Sequence, residues 1–408
     1  MSIPLDRLYN FLDDQCDQDI LIYRWFPHGS RKISDLKPLF KPVLNQQHLS
    51  HFTKLPIMMF CNDQEPLNFD YYNNVDHYRE LCMAGCYKLS DLEDTQTVQL
   101  VVETMNIKIA VETPLFLWAL KDSALLLHSE LRSAEIQKYQ TLDFVPVYWW
   151  SHAIIARDWF RYAEHDPVLS QTHKVDHDFL VYNRAWAGTR EYRLKFVELL
   201  HTHNLIDHCK TSFNAVDQVH YSQHKFKNPA FKVSSQLGFN LPPNTSDATS
   251  SADYNNLDYI TTGIEVVLET LFDDQRLHLT EKALRPIACG KPFMLAASAG
   301  SLEYLRGYGF QTFSGLIDES YDQVTDPAQR LQAIVTEMKR IAALPQHQKL
   351  QLYQQLNVIA QRNKQHFFSD NFSRSVIDEF QQNFDQAYQH ALELRQSKWH
   401  QARTVGIL

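Results

Sequence analysis

The chain has 408 residues, enough for two or three domains at about 150 residues each. Hydrophobic residues make up 44% and charged residues 21%, which excludes a disordered chain and allows a buried core without disulfide staples. A formal net charge of −9 excludes a protein built mainly to coat nucleic acid, since such binding rests on many Lys and Arg contacts to phosphate. A local basic groove stays open.

Short apolar runs at 19–25, 55–60, 124–128 and 144–150 predict buried strands, with helix-permissive stretches between several of them. A helix is expected over 153–164. After Asp166 and Pro167 a second series begins: strand 178–182, helix 190–203, strand 263–268, helix 280–289, strand 291–296 and a short helix 302–307. Residues 242–256, rich in Asn, Ser, Thr and Asp, read as a long loop. From Pro327 to about residue 396 the chain reads as helical, with a solvated face carrying Gln346, Gln348, Gln351, Gln354 and Gln355. No apolar run reaches the roughly 18–20 residues of a membrane span, and the richest, 97–120, is broken by Glu103, Lys108 and Glu112. The first residues show no basic stretch followed by an apolar one, so a cytoplasmic protein with no membrane partner is expected. The six cysteines are scattered and are expected to be reduced.

Two successive strand–helix series predict an α/β protein of two Rossmann-like domains facing a cleft. Their expected bounds are 1–166 and 167–370, with 371–408 a C-terminal helix packing back on the first.

The densest chemistry lies at Thr280-Glu281-Lys282. Thr280 suits an N-cap, and Lys282 in a first helical turn opposes the helix dipole unless an anion is near. A diphosphate is one such anion, because a helix N-terminus offers backbone N–H groups. The plainer reading is an ordinary surface Glu–Lys pair. Arg184 after one predicted strand and Arg190 at the next helix offer planar forks for diphosphate oxygens; both equally suit a solvated turn. Asp63 and Glu65 follow an apolar strand, where open α/β sheets place ligand-binding residues, and either could take a proton from an acceptor hydroxyl. They are also ordinary turn formers. Glu130 and His152 follow strands too and are rival bases. The segment 221–232 holds Lys225, Lys227 and Lys232 with Tyr221, Phe226 and Phe231 and no acid, a composition that could track a nucleic-acid backbone and stack bases. The histidines form no metal-ligand spacing, and no Asp-x-Asp pair suggests a metal-held diphosphate.

Thr280-Glu281-Lys282, the helix after it, and Gly290-Lys291-Pro292 before the next strand resemble the donor-binding signature of fucosyltransferase-like GT-B glycosyltransferases. Val267-Leu268-Glu269-Thr270 and the stretches at 300–305, 309–313 and 318–322 are similar to motifs of phage and bacterial glycosyltransferases. So are Asp63-Gln64-Glu65-Pro66-Leu67, His128-Ser129-Glu130, 151–153 and 156–160. The series covers most of residues 55–325. The resemblance implies a GT-B fold and sugar transfer from a nucleotide-sugar donor, such as a UDP- or GDP-sugar, to a hydroxyl acceptor. It implies that Glu281 holds the ribose and Lys282 the phosphates, with Glu269 facing the donor, and no further cofactor or metal. Position 189 is Thr where the similar sequences carry His. The phage likeness implies double-stranded DNA with hydroxymethylated pyrimidines as acceptor, receiving arabinose or glucose. A glycan acceptor, or a non-catalytic nucleotide-sugar or nucleic-acid binding protein, are the alternatives.

Overall fold

The computed structural model describes residues 21–25, 57–61, 124–128, 130–132, 147–149, 151, 153–171, 174–185, 190–215, 226–233, 253–273 and 275–404. These form a mixed α/β protein with two four-stranded sheets, and every strand pair in both is parallel. The chain divides into one unit of Met1–Ser2 and His152–Val376 and another of Ile3–Ser151 and Ile377–Leu408.

The second of these units holds the first sheet. Its strands are β1 (Leu21–Trp25), β2 (Ile57–Cys61), β3 (Ala124–His128) and β4 (Val147–Trp149), side by side in chain order. Leu21 lies opposite Ile57, Ile57 opposite Ala124, and Leu126 opposite Val147. Each falls within a residue or two of an expected apolar run, because strands of a parallel sheet are apolar along their whole length.

The other unit starts with α1 (Ala153–Trp159) and a 3-10 turn, Arg161–His165. The expected single helix over 153–164 is therefore interrupted at Phe160. Next come β5 (His177–Ala185), α2 (Tyr192–Thr202), β6 (Cys209–Ala215), α3 (Asn256–Thr261), β7 (Thr262–Leu268), α4 (Glu281–Cys289), β8 (Phe293–Ala296) and α5 (Ser301–Gly307). Three helices close the chain: α6 (Pro327–Ala342), α7 (Gln346–Phe368) and α8 (Asp370–Thr404). The five glutamines expected on a solvated face of α7 are exposed.

The sheet order is β6-β5-β7-β8, and β7 and β8 are buried throughout. Two elements have no sequence-based expectation. β6 reads Cys-Lys-Thr-Ser-Phe-Asn-Ala, an edge strand without an apolar run. The six-residue α3 starts at the end of the expected loop 242–256, where Asn255 accepts the Leu257 N–H as an N-cap. β8 begins later than expected because Lys291 is an anchor, its amine donating to the carbonyls of Tyr259 and Thr262.

Two buried charge networks hold the helices to this sheet. On β7, Glu265 takes the Arg285 guanidinium at 2.7 Å and the Tyr259 hydroxyl at 2.6 Å, and Arg285 Nε also donates to that hydroxyl at 2.9 Å. Burial raises the Tyr259 phenol well above its ordinary value, so it remains a donor. At the amino end of β5, Asp178 meets Lys349 Nζ, the Tyr353 hydroxyl and His208 Nδ1, each at 2.6 Å. Gly263 lies against the same place. A Cβ there would sit 2.7 Å from both the Asp178 carbonyl oxygen and the Tyr353 ring.

Removing one partner of a buried ion pair strands the other charge, at about 3–5 kcal/mol. Arg285→Met should lower unfolding stability by that order. Glu265→Leu added to Arg285→Met should recover most of the loss, as a urea-denaturation double-mutant cycle would show.

Candidate functional site

The order β6-β5-β7-β8 contains a reversal. From β5 the chain runs through α2 to β6 on one side, and from β7 through α4 to β8 on the other. Open α/β sheets bind ligands in the crevice outside the carboxyl ends of the strands at such a switch point. Pairing between β5 and β7 stops at Leu180 opposite Glu265, while β5 and β6 stay paired to Ala185 opposite Ala215. The ladder between β5 and β7 thus ends before their carboxyl ends, at the switch point.

The first turn of α2 sits across this gap. Arg193, only 3% exposed, donates from Nη1 to the Arg184 carbonyl and from Nη2 to the Leu268 carbonyl, both at 2.6 Å. One guanidinium therefore joins the ends of β5 and β7. Asn183 Nδ2 donates back to the Arg193 carbonyl at 3.0 Å. The Tyr192 hydroxyl donates to the Glu269 carbonyl at 2.5 Å and lies 3.4 Å from that of Ala296, reaching the ends of β7 and β8. Burial pushes the Tyr192 phenol up to about 12, so it keeps its proton. Its ring stacks on Phe272 with centroids 4.2 Å apart. Just outside, the Glu191 carboxylate accepts the N–H groups of Lys227 and Asn228 at 2.7 and 3.1 Å.

Three buried polar atoms around the crevice have no hydrogen-bond partner among the described residues: Asn183 Oδ1, Arg193 Nε and Thr270 Oγ1. An unpaired buried polar atom costs about 1–3 kcal/mol and calls for an explanation; His177 Nδ1, Thr211 Oγ1 and Ser373 Oγ, away from this crevice, lack a partner among the described residues as well.

The helix α4 forms as the sequence predicts. Thr280 is its N-cap, with Oγ1 accepting the Lys282 N–H, and Gly290 ends it at φ 67° with the Lys291 N–H returning to the Pro286 carbonyl at 2.8 Å. Its N-terminus is already occupied. The Glu269 carboxylate, fully buried, accepts from the Thr280 and Ala283 N–H groups at 3.0 and 3.2 Å and from the Thr280 hydroxyl at 2.9 Å. A carboxylate thus stands where a phosphate was expected. Lys282 Nζ lies 2.6 Å from Glu281 Oε1, so this lysine has its anions within the protein. Glu281 is fully buried, while the Lys282 side chain is 20% exposed.

The structure brings five of the sequence candidates to one edge of one sheet. Arg184 ends β5 and Arg190 precedes α2, both half-buried; Glu269 follows β7, and Glu281 and Lys282 open α4. Asp63, Glu65, His152 and Lys225 lie outside the described residues. Glu130 is buried just past β3. In the lysine-rich segment, Lys227 and Lys232 are exposed, but Phe231 is fully buried against Tyr192 and Phe272 and cannot stack a base. The described residues contain no group of His, Cys, Asp or Glu that could hold a metal, and no helix long and apolar enough to cross a membrane.

Sequence reading gives no role to Asn183, Tyr192, Arg193 or Thr270, although Thr270 lies in one of the resembling motifs. The available signal is an arginine among apolar residues that become buried, Tyr192, Leu194, Phe196 and Val197. Comparison of the chain with protein-family models, with curated proteins and with solved structures finds no match.

Because Glu269 satisfies three buried N–H groups, those of Thr270, Thr280 and Ala283, and a hydroxyl, Glu269→Ala should cost more stability than Thr280→Ala. About 2–4 kcal/mol is expected for the first and about 1 kcal/mol for the second. Urea midpoints at constant slope would check the order.

Proposed function

We propose that the chain is a glycosyltransferase of the GT-B type that binds a nucleotide sugar at the β5–β7 crevice and passes the sugar to a hydroxyl. One observation carries the reading. Buried hydrogen-bonding atoms of Asn183, Arg193 and Thr270 stand without partners among the described residues where a parallel sheet reverses its order. The arginines and the Glu281–Lys282 pair at the same edge support it.

In this reading, Arg184, Arg190 and Lys282 offset the charge that builds on the leaving diphosphate, work that fixed cations in a poorly solvated site do well. Glu281 holds the ribose hydroxyls. Glu269 acts at one remove, by fixing the start of α4. Asp63 or Glu65 takes the acceptor proton. The donor is a UDP- or GDP-sugar and no metal takes part. The acceptor is a hydroxymethylated pyrimidine in double-stranded DNA. Exposed Lys227 and Lys232 support that choice as phosphate contacts, without the stacking first expected of Phe231.

Screening nucleotide sugars by thermal shift tests the donor site, since a ligand at a hundred times its dissociation constant adds about 2.7 kcal/mol. With the donor found, Lys282→Ala should lower turnover at least about a hundredfold while the protein stays folded. Near-normal turnover by that variant would sink the role given to Lys282. Binding of a donor with no transfer to any acceptor would make the protein a binding protein instead.

For the acceptor, duplex DNA carrying hydroxymethylcytosine should gain sugar mass and unmodified duplex should not. Neutralising Lys225, Lys227 and Lys232 together should weaken DNA binding and flatten its salt dependence, because each lost phosphate contact releases fewer counterions. Efficient transfer to a soluble glycan, with no mass change on modified DNA, would replace DNA by a glycan.

A further inference from the structure

We infer that Arg193 is a positioning residue, a two-pronged clamp that sets the width of the β5–β7 crevice and thereby holds the diphosphate-binding groups in register. The inference rests on the reading of that crevice as the donor site and adds a residue with no expected ligand contact of its own.

The argument starts from the sheet. Past Leu180 and Glu265 no ladder joins β5 to β7, so nothing in the backbone pairing fixes the distance between their carboxyl ends. Those ends carry or precede the groups assigned to the donor: Asn183 and Arg184 on β5, and Thr270 after β7. The Arg193 fork spans the gap by bonding one carbonyl on each side, Arg184 and Leu268, at equal distances. A planar guanidinium presents its two Nη groups at a fixed separation, so two simultaneous bonds define a spacing that a lysine, with one ammonium, cannot. Asn183 Nδ2 holds the Arg193 carbonyl, and Asn183 Oδ1 is one of the unpartnered atoms. The clamp and a ligand-ready atom therefore share a residue. Arg193 also adds a buried positive charge at the crevice. Charge and spacing are separable, because lysine keeps the first and loses the second.

The experiment uses the full chain and inorganic pyrophosphate as probe. Calorimetry measures its binding to wild type, Arg193→Lys, Arg193→Gln and Lys349→Met, with thermal midpoints for all four. Lys349→Met is the control for stability loss alone, because its partner Asp178 lies at the opposite, amino end of β5. Hydrogen exchange at the amides of Glu269 and Thr270, bonded to the Ala296 carbonyl and the Glu269 carboxylate, follows loosening of the β7 end that the clamp holds, with Phe179 and Leu180 as internal references in the paired half of β5.

Wild type should bind pyrophosphate, and Arg193→Lys should bind it about tenfold or more weakly, as expected when binding groups are misplaced rather than removed. Exchange at Glu269 and Thr270 should quicken in Arg193→Lys while Phe179 and Leu180 keep their protection. Lys349→Met should lower the thermal midpoint and leave pyrophosphate affinity unchanged. Unaltered affinity and exchange in both Arg193 variants would overturn the clamp. Faster exchange with unaltered affinity would make Arg193 structural only and would also overturn it. Rescue of affinity by lysine but not glutamine would assign the effect to charge instead of spacing. Equal weakening by Lys349→Met would assign it to stability. Failure of wild type to bind pyrophosphate would remove the donor-site reading and the clamp's purpose together. Wild-type binding with an unaffected Arg193→Lys removes this inference alone.

Discussion

In this parallel sheet the ladder between β5 and β7 ends at Leu180 and Glu265, and the backbone groups beyond it still need partners. Here one buried arginine meets that need. Arg193 joins Arg184 on β5 to Leu268 on β7, and its neighbour Tyr192 reaches Glu269 and comes within 3.4 Å of the Ala296 carbonyl after β8. The first turn of α2 therefore links the end of β5 to those of β7 and β8, which are paired with each other up to Leu268 and Ala296. The crevice and the connections that carry Arg190, Glu281 and Lys282 all start from these ends.

The same economy runs through the unit. Buried cations are mostly spent on backbone carbonyls. Arg330 donates to Ala297, Val324, Thr325 and Phe272, Lys291 to Tyr259 and Thr262, and Arg157 to Phe368 and Ser369 at the end of α7. Three buried anions are spent on N–H groups: Glu269 at the start of α4, Glu191 at Lys227 and Asn228, Asp322 at Leu302. A charge bonded to the main chain avoids most of the cost of an unpaired buried ion. It also joins segments far apart in sequence. In return it is unavailable to a ligand, so a charged residue at a strand end is no guide to binding until its backbone bonds are counted.

That trade explains what could be read from the sequence. Apolar runs, a Thr cap and a Gly stop are local signals, and they place β2, β3, β7 and α4 to within about two residues. β6 and α3 were illegible because their stability comes from neighbours: an edge strand beside β5, and a six-residue turn of helix capped by Asn255. The residues proposed for the donor were legible as types at strand ends, and the structure does bring Arg184, Arg190, Glu269, Glu281 and Lys282 to one edge. Their division of labour was not, because it depends on which carbonyl or N–H each one meets across the fold. Arg157 and Asp322 belong to stretches that read as sugar-transfer motifs, yet they cap a helix end and a helix start.

The lysine at the start of α4 shows how this changes the functional argument. A cation in a first helical turn opposes the dipole, and its presence pointed to an anionic ligand. With Glu269 bonded to the N–H groups of that turn and Glu281 2.6 Å from the amine, the helix start already holds two buried carboxylates against one lysine. Lys282 is explained without a ligand, so a helix N-terminus is no longer the reason to place a diphosphate there. The case moves across the crevice, to Arg184 and Arg190 on the β5 side and to the unpartnered atoms of Asn183, Arg193 and Thr270. A diphosphate bound mainly by arginines at β5 would leave Lys282 to meet charge that grows during transfer. For that, its amine must leave Glu281, a short swing that its partial exposure permits. A lysine that exchanges a carboxylate in the resting state for a leaving group in the transition state contributes to catalysis rather than to binding, because only the difference between the two states accelerates a reaction.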